Sequence, residues 1–295
     1  ALSQLSREVE KRKDEFYVDV LFNKSPERKI NRLNIRNICK IREFYTFDDL
    51  PEKEKRWLEN YYSRHIESSY HDIYKTLIDP TVETITAEFK LKVLTYIVAQ
   101  ELRTPKLAEA LNSLSNRTIE YAFLAHEQLG TEKKVYSGEQ EIMNFEGKTL
   151  EEAVKESNSS NRQSANLEAV QRLRRIAELK IDHHIMITKY NGTMGLISSD
   201  RPVHADWPLY NPDGKMNIPL DRYHMLSIYP FDEEVDPDPM KILRLDYNER
   251  NPPLFVLTYN MHQVEKADYY LYGDSEDIKD ALKQYDEVMK KHMGK

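Results

Sequence analysis

Asp200 closes a period-two stretch, in the run Ser198-Ser199-Asp200-Arg201-Pro202-Val203-His204, with a proline to fix the exit. Gln100, Arg103 and Thr104 are polar groups at the end of an otherwise apolar run, FKLKVLTYIVAQELRTP, from Phe89 to Pro105. A guanidinium on a buried rod needs a carboxylate or carbonyl partner, and Asp200 is a candidate. Glu59 and Glu67, eight residues apart in a helical stretch, fall close to one side after two turns. Carboxylates plus water suit a hard divalent cation such as magnesium or manganese, and such a cation can activate water for phosphodiester cleavage. In that reading Glu59, Glu67 and Asp200 hold the metal, Arg103 binds phosphate or orients a carboxylate, and Gln100 positions water. Arg28, Arg32 and Arg36, in the basic stretch from Asn23 to Arg42, are available for the phosphate of a nucleotide or nucleic acid. Each group also has a plainer use. A charge run is a solvated face, S-D-x-P caps a turn, and carboxylates beside arginine make a structural network in a non-enzymatic binding or regulatory module.

The histidines offer a second arrangement. His183 and His184 are adjacent on an expected strand and must face opposite ways. His184, His204 and Asp206 could form a two-histidine, one-carboxylate iron site, or serve as ordinary core and surface residues. Ser198 and Ser199 are weaker as nucleophiles, because neither lies in a G-x-S-x-G turn.

The elements that must position these groups read as follows. Phe89, Val93, Tyr96, Ile97 and Gln100 recur at helical spacing, with Leu91, Leu94, Val98 and Leu102 in a neighbouring stripe. A helix this broadly apolar is buried among other elements. Residues 1–14 read as a charged helix, 16–22 as a strand, and Pro51 to Asp79 as one long helix. A further helix runs from Lys106 to Leu129, closed by Gly130. Residues 131–161 read as a flexible lid or plain connection, and Ser164 to Lys180 as an amphipathic helix with Leu167, Val170, Leu173, Ile176 and Leu179 inward. After Ile181 the period changes to two. Residues 181–190, an Asn191-Gly192 turn and residues 193–198 predict a hairpin. Strands follow at 218–229 and 241–247, a helix at 252–266, a short strand at 269–272 and a last helix at 275–292. Helices first and a mostly antiparallel sheet after them predict an α+β fold in a single compact domain over 1–295.

Composition narrows the function classes. With 40% hydrophobic and 32% charged residues the chain reads as globular, and no stretch approaches the roughly 20 apolar residues of a membrane span. The N-terminus lacks a signal-peptide pattern. One cysteine, Cys39, excludes an internal disulfide framework and a cysteine-cluster metal site, so a cytoplasmic location is expected. A net charge of −7 disfavours generic nucleic-acid binding, and neither a P-loop nor a dinucleotide fingerprint is present.

In order along the chain stand Phe44-Tyr45, the helix with Glu59 and Glu67, and Gln100-x-x-Arg103-Thr104-Pro105. Ser199-Asp200-Arg201-Pro202-Val203, Ile218-Pro219-Leu220 and Asn260 follow. This set resembles a widespread, mainly bacterial family, the domain-of-unknown-function family 4238, over residues 15–273. That family typically begins with a His-x-x-Pro motif, which this chain lacks, and many members carry asparagine where Arg201 stands. The resemblance supports the fold and the choice of site; it implies no reaction.

Overall fold

The computed structural model of the chain describes residues 7–8, 16–22, 27–35, 38, 45–47, 50–51, 53–103, 106–130, 134–137, 140–248 and 253–293. Cys39 and most of the expected 1–14 helix lie outside them. By contacts the chain divides into two compact units. The first comprises Ala1–Arg42, Tyr61–Glu101 and Leu173–Lys295, the second Glu43–Asn60 and Leu102–Arg172.

In chain order the elements are β1 (Arg7–Glu8), β2 (Phe16–Phe22), β3 (Ile30–Asn34), α1 (Trp57–Tyr61), α2 (Tyr70–Ile78), α3 (Ala87–Leu102) and α4 (Lys106–Leu129). Next come β4 (Lys134–Ser137), β5 (Gln140–Asn144), α5 (Leu150–Leu179), β6 (His184–Tyr190), β7 (Ser198–Ser199), β8 (His204–Ala205) and β9 (Met216–Pro219). The chain continues through β10 (His224–Tyr229), β11 (Ile242–Tyr247), α6 (Leu254–Lys266), β12 (Tyr270–Gly273) and α7 (Ser275–Met293). The class is α+β, as the sequence indicated.

The first unit is built on two sheets. One runs β1-β2-β12-β7 with β3 also paired to β2, and the other runs β11-β6-β10-β9-β8. Every pairing is antiparallel except β11 with β6. Leu21 and Leu271 from the first sheet, with Ile197 just before β7, pack with Val264 of α6 and with Ile278, Ala281 and Leu282 of α7. Tyr190, Leu196 and Met225 pack on the other side of α6, at Val256 and Tyr259. Helix α3 is buried nearly all round, at Val93, Leu94, Tyr96, Ile97, Val98 and Ala99, as its apolar circumference required. In the second unit Ile119 of α4 packs with Phe145 and with Ala153 of α5. Gly130 ends α4 at φ 64°, the left-handed conformation that favours glycine.

Several expectations are corrected. Arg7–Glu8 is a strand paired with β2, not part of a helix. The stretch 51–79 is not one α-helix: a π-helical turn, Tyr62–Ile66, and a 3₁₀ turn, Glu67–Ser69, separate α1 from α2. Residues 131–161, expected as a flexible lid or plain connection, contain β4, β5 and the start of α5. The Ser-Asn run that suggested a loop lies inside a 30-residue helix, mostly half-buried, with Ser157 Oγ hydrogen-bonded to Ser115 Oγ at 2.8 Å. In α5 Leu167 and Leu179 are exposed, and Ala165, Ala169, Leu173, Ile176 and Ala177 are buried. The strand expected over 181–190 is present as β6 from His184, with 181–183 in a turn, and among the described residues its expected hairpin partner is absent. β6 pairs with β10 and β11, and beyond Asn191 the chain passes to β7 in the other sheet. Gly192 serves a close approach: a Cβ there would stand 1.5 Å from the Tyr190 phenol oxygen. The apolar run 218–229 is two strands, β9 and β10, folded at Asp221 and Arg222.

Candidate functional site

Asp200 leaves β7 and turns its carboxylate onto backbone. Its oxygens accept the N–H groups of Asp268 (3.1 Å), Tyr269 (2.8 Å) and Tyr270 (3.5 Å). It therefore caps the entry to β12. Burial raises its pKa, and the three N–H donors pull the other way. Ser199 Oγ donates to Gln263 Oε1 (2.7 Å) and accepts the Arg201 N–H (3.1 Å), which occupies it as a turn-former. Arg201 reaches Glu101 in the last turn of α3 at 3.2 Å. The two motifs singled out in the sequence do meet, with the charges exchanged: the helix supplies the acid and the strand exit the base.

Arg103 belongs to the second unit, whereas Asp200 and Gln100 belong to the first. The Arg103 Nε donates to the Tyr45 hydroxyl at 3.2 Å, and its guanidinium lies over that ring, 5.3 Å from the centroid. Thr104 and Pro105 lie outside the described residues, and Gln100 is half-buried. Glu59 and Glu67 are both exposed. Because π and 3₁₀ turns replace the α-helical period between them, the shared-face argument does not apply. Arg28 pairs with Asp286 at 2.6 Å, and Arg32 grips Asp19 through Nε and Nη2 at 2.8 and 3.1 Å. Arg36 lies outside the described residues. Among the described residues no group of three or more histidine, cysteine, aspartate or glutamate side chains is placed to hold a metal.

The histidines are distributed differently from the expected iron site. His184 Nε2 lies 2.9 Å from the Asp232 carbonyl and is stacked on Phe231, so it serves the acidic loop after β10. His204 packs edge-on against His262 of α6, ring centroids 3.8 Å apart. The adjacency of His183 and His184 put one in the sheet and the other in the turn before it, and the third member of the expected triad was taken by its local loop. Burial lowers both ring pKa values of the pair, that of His262 to about 4, with His204 and Lys266 adding to the effect.

Two cavities flank this imidazole pair within the first unit. The larger, about 660 Å³, lies between the face of the second sheet and α6. Tyr229, Tyr247, Phe255, Met186 and Met225 give it apolar walls, and Thr188, Asn217 and Ser227 give it a polar floor. Ser227 Oγ donates to Asn217 Oδ1 at 2.7 Å. His204 lines this cleft and His262 lines the smaller pocket, about 290 Å³, with Arg201, Glu101, Asp206, Lys266 and Trp207. The sequence reading did not single out His262, Trp207 or the cleft residues. The only available signal was a tryptophan in a proline-bounded loop, since sheet register and helix packing create the rest.

A family model described as protein of unknown function (DUF4238) matches residues 14–277. The chain belongs to the DUF4238 family. No curated protein and no solved structure matches it. In this DUF4238 member the aspartate of the S-D-x-P-V run anchors β12, and the next residue, Arg201, ties that run to α3. Asn260 is also structural: its amide donates to the Gly195 carbonyl (2.8 Å) and accepts the Ile197 N–H (3.1 Å). No described helix is long and apolar enough to cross a membrane.

Proposed function

We propose that this protein is a small-molecule-binding module whose ligand is a flat, partly apolar molecule with a hydrogen-bonding edge, of the nucleobase or related heteroaromatic class. The carrying observation is the 660 Å³ cleft under α6. Its size falls within the range of about 300–1,000 Å³ typical of ligand sites. Tyrosine and phenylalanine rings suit the faces of a planar ligand, and the hydroxyl and amide groups of Thr188, Ser227 and Asn217 supply donors and acceptors for its edge. Thermal unfolding in the presence of adenine, nicotinamide and flavin compounds tests the reading. A true ligand at about 100 times its Kd should stabilise the fold by about 2.7 kcal/mol. Thr258→Trp, on the exposed rim of α6, should fill the cleft and remove that gain. Absence of any stabilisation, or its persistence in the filled variant, would end the proposal.

Metal-assisted phosphodiester hydrolysis is the second reading. It draws support from the half-buried Asp200 carboxylate with the Arg201–Glu101 ion pair beside it. Calorimetric titration with magnesium and manganese tests it: no heat of binding, together with unchanged behaviour of folded Asp200→Asn protein, would remove it.

A further inference from the structure

We propose that the smaller pocket, beside Trp207, is a second binding site, for a neutral polyol the size of one monosaccharide unit. The loop from Asp206 to Lys215 joins β8 to β9 and is held closed by its own backbone. Asp206 Oδ1 accepts the Lys215 N–H (2.7 Å), the Asn211 N–H donates to the Pro208 carbonyl (2.8 Å), and the Gly214 N–H donates to the Asn211 carbonyl (3.1 Å). Beneath it, fully buried Lys180 donates to the carbonyls of Asn211 and Gly214, each at 2.9 Å. Gly214 permits the close return of the loop, since a Cβ there would meet the Trp207 Cβ at 3.2 Å. A loop fixed this way presents its side chains at little further cost in entropy on binding.

What it presents is Trp207, a residue 58% exposed that lines a pocket. An aromatic face on a rigid support accepts the C–H face of a sugar ring. The charges of the pocket decide the ligand class. Arg201 and Lys266 are matched by Glu101 and Asp206, so the formal charges cancel and the pocket favours neither phosphate nor a free cation. The guanidinium and ammonium donate only, the carboxylates accept only, and a hydroxyl does both. Adjacent hydroxyls therefore match both halves of such a lining. Val203, Ala205, Pro208 and Leu209 complete the wall on the apolar side. About 290 Å³ is room for one sugar ring. The site uses none of the cleft residues and is independent of the cleft reading.

The chain has two tryptophans, Trp57 and Trp207, and Trp57→Phe isolates the signal of the second. Glucose, galactose, mannose and N-acetylglucosamine titrated into that protein should include at least one that changes Trp207 fluorescence saturably, with Kd on the order of 1 mM. Saturation-transfer NMR on the unmodified chain should mark the ring protons of the same sugar. Trp207→Ala, at an exposed position and checked by circular dichroism, should weaken binding at least about tenfold, and Thr258→Trp in the other cavity should leave it unchanged. Three results would overturn the proposal: no saturable sugar in the panel, binding unaffected by Trp207→Ala, or saturable binding of inorganic phosphate in place of sugar.

Discussion

Acid is the perturbation that reaches the scaffold beneath the Trp207 loop. His183 is 5% exposed and lies in the field of Lys180 and Lys90, with the Pro212 backbone of that loop favouring its charged form. Burial first, and the Lys180 charge second, lower its pKa from 6.5 to about 4. Because the folded value is the lower one, the unfolded chain takes up the proton first. Between about pH 6.5 and pH 4 the unfolded state holds more protons, so stability falls as acid is added and rises with pH. At about 1.4 kcal/mol per pH unit, the loss on reaching pH 4.5 is about 2–3 kcal/mol for this residue. His262 shifts in the same direction, and carboxylates titrate nearby, so the total slope is not diagnostic. The difference from a variant is. His183→Asn keeps a polar amide at the site and cannot take the proton. Equilibrium urea unfolding followed by circular dichroism, from about pH 7.5 to about pH 4.5, should show the stability advantage of the wild type over His183→Asn shrinking by about 2–3 kcal/mol. A difference that stays constant across that window would refute a neutral buried imidazole and the account of the loop anchor built on it.

Two further outcomes follow from buried charge. Arg222 grips Asp277 through Nε and Nη2 at 2.7 and 3.0 Å, and Asp277 also accepts the Gly195 N–H at 2.8 Å. Arg222→Ala leaves a carboxylate at 1% exposure with that single donor, so urea unfolding should show a loss of about 3–5 kcal/mol, and Asp277→Asn a smaller one; equal, small effects would show that the pair is not coupled to folding. Lys90, fully buried in α3 and donating to the Pro239 carbonyl at 2.5 Å, has a pKa lowered by burial to about 8. Its unfolded state holds the extra proton between about pH 8 and pH 10.5, so stability rises with pH there, by about 3 kcal/mol at most. Lys90→Met should flatten that rise, and an unchanged rise would assign it to another group.

The fold class and most elements were legible in the residues. The apolar circumference of α3, the period-two run of β6, Gly130 after α4 and the helix after Pro253 each carry a local signal that tertiary contacts reinforced. Element boundaries failed where local pattern and packing disagree. The Ser-Asn run of α5 looks like a loop because serine and asparagine compete for backbone hydrogen bonds, yet it lies within a continuous 30-residue helix. The stretch 51–79 has continuous helical spacing, yet π and 3₁₀ turns interrupt it.

The candidate site divides along the same line. Sequence alone determined that Asp200, Arg201 and the end of α3 are polar groups bordering apolar elements, and that such groups must find partners. Only tertiary structure decided which ones. Asp200 took three backbone N–H groups, Arg201 took Glu101, and His204 met His262 across 58 positions of chain. Long-range partner choice depends on strand order and on the direction of approach of α6, which are global solutions to burying apolar surface and leave no mark at the residues they bring together.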